Sequence, residues 1–252
     1  MGSTFDNIAM LYSSSVPPVP TQYIELIRRT FDINDISNIL DLGCGAGTLT
    51  FALLKISKML QGVDESSEMI KLAMEHDINH LIRWHCESVA SYNLGVDNFN
   101  LIISFEAFHL FPDPVKLTTR CSKALKPQGF FSIGWVNFEW EEPLKHVIWD
   151  VCGRYGISFA DWGYWTCPNF PEYVLASQSF GPIERDSVFV YAKTSVQDIV
   201  DHMVSIEKAS KLTPAVRQEL ARELTDTIIK VYPSGFSEGS AKYSIAYAQR
   251  TV

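Results

Sequence analysis

Residues 39–47 read Ile-Leu-Asp-Leu-Gly-Cys-Gly-Ala-Gly. An apolar run ends in an acid, and a Gly-x-Gly-x-Gly turn follows directly. Three glycines so close together let the backbone turn sharply and approach a ligand that side chains would hold away. A helical segment follows the turn. A second apolar run, Met59–Val63, then ends in Asp64, about twenty residues beyond the turn, the spacing expected of an acid that binds a ribose. Strand, glycine turn, helix, strand and acid is the opening of a nucleotide-binding α/β unit.

The details narrow the nucleotide. A dinucleotide fold uses G-x-G-x-x-G and sets a pyrophosphate on the helix N-terminus. Here the third glycine comes one residue early, and no Lys or Arg lies between Asp41 and Thr50 to meet a phosphate. There is no G-K-[ST], which excludes a P-loop. Asp41 beside the turn suits a ligand with an amine and a positive centre.

From Asn38 onward apolar runs alternate with amphipathic ones: strand 38–42, helix 46–57, strand 58–63, helix 66–75, strand 80–85, strand 99–104, helix 114–125 and strand 129–136. That alternation predicts a parallel sheet covered on both faces, with ligands at the carboxyl ends of the strands. Phe5, Ile8, Ala9 and Tyr12 recur at helical spacing ahead of it, and residues 13–20, with three prolines, read as irregular. A helix is expected from Thr21 to Phe31. After Trp135 the alternation stops, and residues 137–180 are rich in aromatics, Gly and Pro. A strand at 187–193, helices at 195–208 and 213–231, a loop at 234–240 and a strand at 242–248 complete the chain.

With 252 residues and 46% hydrophobic content, the chain suits one large domain. Net charge is −8, with 29 acids against 21 Lys plus Arg. Such an acidic chain without a basic cluster is a poor nucleic-acid binder. No apolar run reaches membrane-spanning length, so a cytoplasmic location is the default expectation. The five cysteines are scattered without zinc spacing. No metal-ligand set is visible, and the expected metal content is none.

The motif 41–47 resembles the first motif of class I S-adenosylmethionine (SAM)-dependent methyltransferases, and Gly62-Val63-Asp64-Glu65-Ser66-Ser67-Glu68-Met69 their second. Phe99–Ser104 is similar to the family's fourth strand, with Asn100 where Asp is usual. Leu125-Lys126-Pro127-Gln128-Gly129 is similar to its L-K-P-G-G turn, with Gln128 replacing a glycine. The resemblance implies a Rossmann-like, seven-stranded α/β sheet whose last two strands form a hairpin-like pair. It further implies a cofactor site of Asp41, Gly43, Cys44, Gly45, Gly47, Asp64, Glu65, Met69, Glu87, Ser88, Ser104 and Phe105. Within it Asp64 takes the ribose, the glycine turn the amino-acid end, and Glu87 the adenine, the alternative being backbone amides of Ser88 and Val89.

Across nearly the whole chain the sequence is similar to the trans-aconitate-methyltransferase-like group. Phe5-Asp6-x-Ile8-Ala9-x-x-Tyr12 and Ala107-Phe108-His109-Leu110 with Asp113-Pro114 carry that likeness. The group's entrance Arg is absent, which favours an apolar or aromatic acceptor over an acidic one. His109 is a candidate base, or a packed residue that shapes the pocket. Glu106 is an alternative base or an anchor for a substrate amine, or a solvent-facing acid. Tyr12 belongs to an N-terminal lid, either over the methionine end of the cofactor or in the core. Phe105, His109, Trp135, Trp140, Trp162 and Trp165 are candidate substrate contacts.

These residues predict a single methyltransferase domain. It would comprise a lid at 1–37, a SAM-binding core at 38–136, an aromatic insert at 137–186 and C-terminal strands and helices at 187–252. The expected reaction is O-, N- or C-methylation of a small metabolite, possible in natural-product biosynthesis. The alternative is a repurposed fold that catalyses a non-methylating step, such as a cyclisation, with SAM bound. The oligomeric state is not legible.

Overall fold

A computed structural model describes residues 6, 9–158 and 179–251. Among these, seven strands form one sheet: β1 (Asn38–Leu42), β2 (Met59–Asp64), β3 (Ile82–Cys86), β4 (Phe99–Phe105), β5 (Leu125–Glu139), β6 (Glu184–Ser195) and β7 (Phe236–Gln249). Their order is β3-β2-β1-β4-β5-β7-β6. β1 to β5 are parallel to one another, and β7 runs antiparallel to both β5 and β6. The expected Rossmann-like sheet and closing antiparallel pair are both present.

The helices are α1 (Ala9–Ser15), α2 (Thr21–Thr30), α3 (Thr48–Leu53), α4 (Ser67–His76), α5 (Pro114–Ala124), α6 (Glu142–Arg154), α7 (Val196–Ser205), α8 (Glu207–Ser210) and α9 (Pro214–Val231). Every residue of β1 is buried, because the sheet is covered on both faces. Ile39, Leu101 and Ile103 pack with Tyr23, Ile24 and Ile27 of α2 and Leu49 and Leu53 of α3. Leu40, Leu42 and Ile102 face the other way, onto Leu117 and Cys121 of α5. A separate core joins α6, α7 and α9 through Leu144, Ile148, Met203, Leu220 and Leu224.

Several boundaries differ from the sequence expectation. The chain stays helical through Ser15, and only the prolines beyond it break α1. Helix α3 starts at Thr48 and not 46, because Gly47 sits in the left-handed region at φ 88°. Residues 234–240 are not simply a loop: β7 begins at Phe236, where it pairs with Ser195. The sequence reading assigns no element to residues 137–158, which continue a strand and form a helix. β5 runs on to Glu139, and α6 follows with Pro143 in its first turn.

Two departures from the family motifs have visible structural roles. The Asn100 side-chain oxygen accepts from Asn38 N (2.9 Å) and Lys126 Nζ (2.9 Å), tying β4 to β1. Gln128 adopts φ 66°, the left-handed conformation that a glycine there would take without strain.

Candidate active site

The carboxyl ends of β1, β2 and β4 open into one cleft, the position at which open parallel sheets bind ligands. Counted out to open solvent, its space is about 730 Å³. The glycine turn forms one wall. Gly43 has φ 71°, and a Cβ there would lie 2.6 Å from Ala107 Cβ, so the position admits glycine alone. Gly45 has φ 53°, and its missing side chain leaves open space with only Met69 Sδ at 4.0 Å.

Asp64 closes the turn. Its carboxylate accepts from Gly45 N (2.9 Å) and Ser66 N (2.9 Å). Each carboxylate oxygen has a second lone pair, so Asp64 can still accept from two ribose hydroxyls. Asp41 lies deeper, buried, with Thr50 Oγ1 donating to Oδ2 at 2.7 Å. Burial pushes the Asp41 pKa up to about 7, against the Thr50 hydrogen bond and helped by the Asp64 charge. Burial raises Asp64 as well, although the Ser66 and Gly45 N–H groups oppose it.

Glu106 is the third acid. It follows β4 at φ 57°, a conformation uncommon for a residue with a side chain. Its N–H donates to Gly134 O (3.0 Å), and its Oε1 accepts from Val136 N (2.5 Å). The pairing of β4 with β5 ends at Phe105 and Gly134, so the carboxylate replaces the strand partner that Val136 lacks there. Burial raises the Glu106 pKa to about 7, against that hydrogen bond. Its charge in turn raises the phenol pKa values of Tyr12, Tyr23 and Tyr243 beyond what burial does. Behind it Phe105 packs on Tyr23 (5.4 Å between centroids) and stacks on Tyr243 (6.3 Å, 7°).

Helix α1 covers the cleft. Tyr12, Ser13 and Val16 line it. Ala9 packs with Ala46 and Met69, and α1 touches both α4 and α7. Ser66 Oγ, which caps α4, donates to Asp6 Oδ1 at 2.6 Å. Asp6 is therefore tied to the segment that follows Asp64.

Of the residues proposed from sequence, Tyr12, Asp41, Gly43, Cys44, Gly45, Asp64, Met69, Phe105 and Glu106 meet at this cleft. Others do not. Ser104 is fully buried, and its hydroxyl donates to Leu42 O (2.8 Å), which makes it a tie between β4 and β1. Gly47 makes room for the Trp84 and Phe51 rings. Glu65 and Glu87 are exposed; Glu87 N donates to Asp64 O (3.0 Å), which puts it beside the ribose acid, with Ser88 next along the chain. His109 is half-buried in a 3-10 turn, Phe108–Leu110, and does not line the cleft. Trp135 carries Arg185 over its ring (5.9 Å), and Trp140 stacks on Phe138 (5.9 Å, 12°) within the helical core. Neither ring lines the cleft. Trp162 and Trp165 lie outside the described residues. The sequence reading missed Val16, Ala107 and Leu110 as wall residues. The fixed distance of residue 107 from the end of β4 was the available signal for one of them.

Three carboxylates and no Lys, Arg or His line the cleft among the described residues. A buried anionic site of this kind favours a ligand that brings positive charge. SAM carries a sulfonium and an ammonium against one carboxylate, a net positive charge, and two ribose hydroxyls to meet Asp64, so the residues present fit it. A family model described as "Methyltransferase domain" matches residues 39–129, the stretch that builds the cleft floor. Residues 39–129 thus match a methyltransferase domain, in the part of the chain that carries the cleft.

Among curated proteins, the ubiquinone biosynthesis O-methyltransferase of Coxiella burnetii is 32% identical over 137 residues, 53% of this chain and 56% of that protein. The chain thus spans about half the length of that relative. An uncharacterized methyltransferase of Schizosaccharomyces pombe is 24% identical over 100% of this chain and 98% of its own length. Among solved structures, a phosphoethanolamine N-methyltransferase of Haemonchus contortus, in complex with phosphomonomethylethanolamine and S-adenosylhomocysteine, shares the fold. Its TM-score is 0.58 at 17% identity, covering 98% of this chain and 58% of that one. No helix among the described residues is long and apolar enough to cross a membrane, and no group of three His, Cys, Asp or Glu there is placed to hold a metal.

Proposed function

We propose that this chain transfers a methyl group from SAM to a small-molecule acceptor with an apolar or aromatic body and no negative charge. The observation that carries the reading is the acid-only cleft at the ends of β1, β2 and β4. Asp64 would hold the ribose hydroxyls and the 43–45 turn the amino-acid end, with Asp41 supplying negative charge beneath it. Met69 and the Glu87–Ser88 segment would flank the adenine.

Bound SAM supplies a methyl already made electrophilic by its sulfonium. What remains for the chain is to align the acceptor and exclude water. Tyr12, Val16 and Leu110 provide the apolar cover, and Glu106 is the polar group best placed to meet an acceptor. The division into lid, core, insert and C-terminal part is read as one methyltransferase domain. Calorimetric titration with SAM and with S-adenosylhomocysteine tests the reading: both should bind at micromolar affinity or tighter. A subsequent acceptor screen by mass should then show a gain of one methyl. An acceptor rearranged without that gain would favour a repurposed fold.

A further inference from the structure

We propose that the acceptor is an amine, which enters as an ammonium ion, is held by the Glu106 carboxylate between lid and sheet, and leaves N-methylated. The proposal rests on the methyltransferase reading above and deepens it.

Asp41 and Asp64 belong to the glycine turn by their hydrogen bonds, one held by Thr50 and the other on Gly45. Glu106 is not part of that turn. It comes from β4, lines the same cleft as the rings of Tyr12 and Phe105, and has one oxygen fixed by Val136 N. Its second oxygen retains its lone pairs for a donor. A carboxylate with aromatic neighbours is a site for a cationic nitrogen, through charge and through the ring faces. A carboxylic acid or phosphate acceptor would face three acids and no cation among the described residues.

The groups around Glu106 are Tyr12 of α1, Tyr23 of α2 and Tyr243 of β7, with Asp41 and Asp64 across the cleft. None of these is basic, so among the described residues no cation there competes for its charge. Burial raises the Glu106 pKa to about 7, which matches it to accepting a proton near neutral pH. In the step, Glu106 takes one proton from the substrate ammonium. The freed lone pair forms the N–C bond as the methyl's bond to sulfur breaks, and that electron pair stays on sulfur in the thioether product. The methylated nitrogen is again an ammonium, and Glu106 gives its proton to solvent as the product leaves.

The test uses the full chain saturated with S-adenosylhomocysteine and two matched probe sets, titrated calorimetrically. One set is 2-phenylethylamine, 2-phenylethanol and phenylacetate; the other is hexylamine, hexanol and hexanoate. At least one amine should bind tenfold or more tighter than its matched alcohol and acid. Glu106→Gln should erase that preference while S-adenosylhomocysteine affinity stays within about twofold, because the Gln carbonyl can still accept from Val136 N. With SAM, the preferred amine should gain one methyl on nitrogen. The proposal is overturned if neither amine binds, if an alcohol or acid binds as tightly, or if the preference survives in Glu106→Gln. It is also overturned if that variant loses S-adenosylhomocysteine affinity, since Glu106 would then hold the cofactor. Failure of S-adenosylhomocysteine to bind the wild type would instead sink the methyltransferase reading itself.

Discussion

Asp64 Oδ2 accepts the backbone N–H of Gly45 at 2.9 Å, so the acid that ends β2 fixes the glycine turn that ends β1. The two motifs are one object. Asp64→Ala should therefore loosen the turn and remove the ribose acceptor together. Hydrogen bonds to charged groups contribute about 1.5–3 kcal/mol each. S-adenosylhomocysteine affinity should fall about a hundredfold, with a lower melting temperature. Asp64→Asn keeps one acceptor oxygen and should fall between. Calorimetry and thermal melts on both variants check this.

Asp41 makes stability depend on pH. The folded chain keeps its proton up to pH about 7, whereas the unfolded chain releases it near the ordinary 3.8. Its contribution to stability is therefore full below the unfolded value, falls as pH rises from 3.8 to about 7, and is level above. Asp41→Asn should abolish that slope. It should stabilise the ligand-free protein at pH 8 by an amount on the order of 2–4 kcal/mol, while lowering SAM affinity at least tenfold. Urea unfolding at pH 5 and pH 8 reads the first effect, and calorimetry the second.

Ser104 separates structural from cofactor roles. Its hydroxyl is committed to Leu42 O inside the sheet. Ser104→Ala should cost about 1 kcal/mol of stability and leave S-adenosylhomocysteine affinity unchanged within twofold. A large affinity loss with stability intact would return Ser104 to the cofactor site.

The turn before the sheet-forming part of β5 holds Gln128 at φ 66°. Gln128→Gly relieves left-handed strain and should change stability by less than about 1 kcal/mol, in the stabilising direction. Chemical denaturation resolves a shift of that size.

The central sheet was legible because its signals are local. Buried strands, glycine punctuation and Asp64 at the right distance leave few alternatives for residues 38–105. The β7 start was not legible. Residues 236–241 pair at the outer end of the antiparallel strands, where burial is partial and no clean alternation survives in the sequence. Helix α6 was hidden differently. Leu144, Ile148, Val151 and Cys152 have helical spacing, but exposed Trp149 and the neighbouring aromatics drew the segment towards a pocket wall. Of the motif residues, Asp41, Gly43, Cys44, Gly45, Asp64, Met69 and Phe105 line the cleft, whereas Gly47, Glu65, Glu87, Ser88 and Ser104 do not. Glu106 lines the cleft and His109 does not. Glu106 at φ 57° sends the chain into the 3-10 turn that takes His109 away from the cleft wall. A left-handed glutamate has no sequence signature, since the residues expected at positive φ are Gly, Asn and Asp.

The acid-only cleft is the feature on which the functional account stands, and titration with SAM and S-adenosylhomocysteine at pH 7 in two buffers of different ionisation enthalpy tests it most directly. The sulfonium and ammonium entering the cleft should drive Asp41 to ionise, since burial has raised it to about 7. The account predicts binding of both ligands at micromolar affinity or tighter, with net proton release that is greater for SAM, which carries the extra sulfonium charge. No binding of either, or binding with proton uptake, would contradict it.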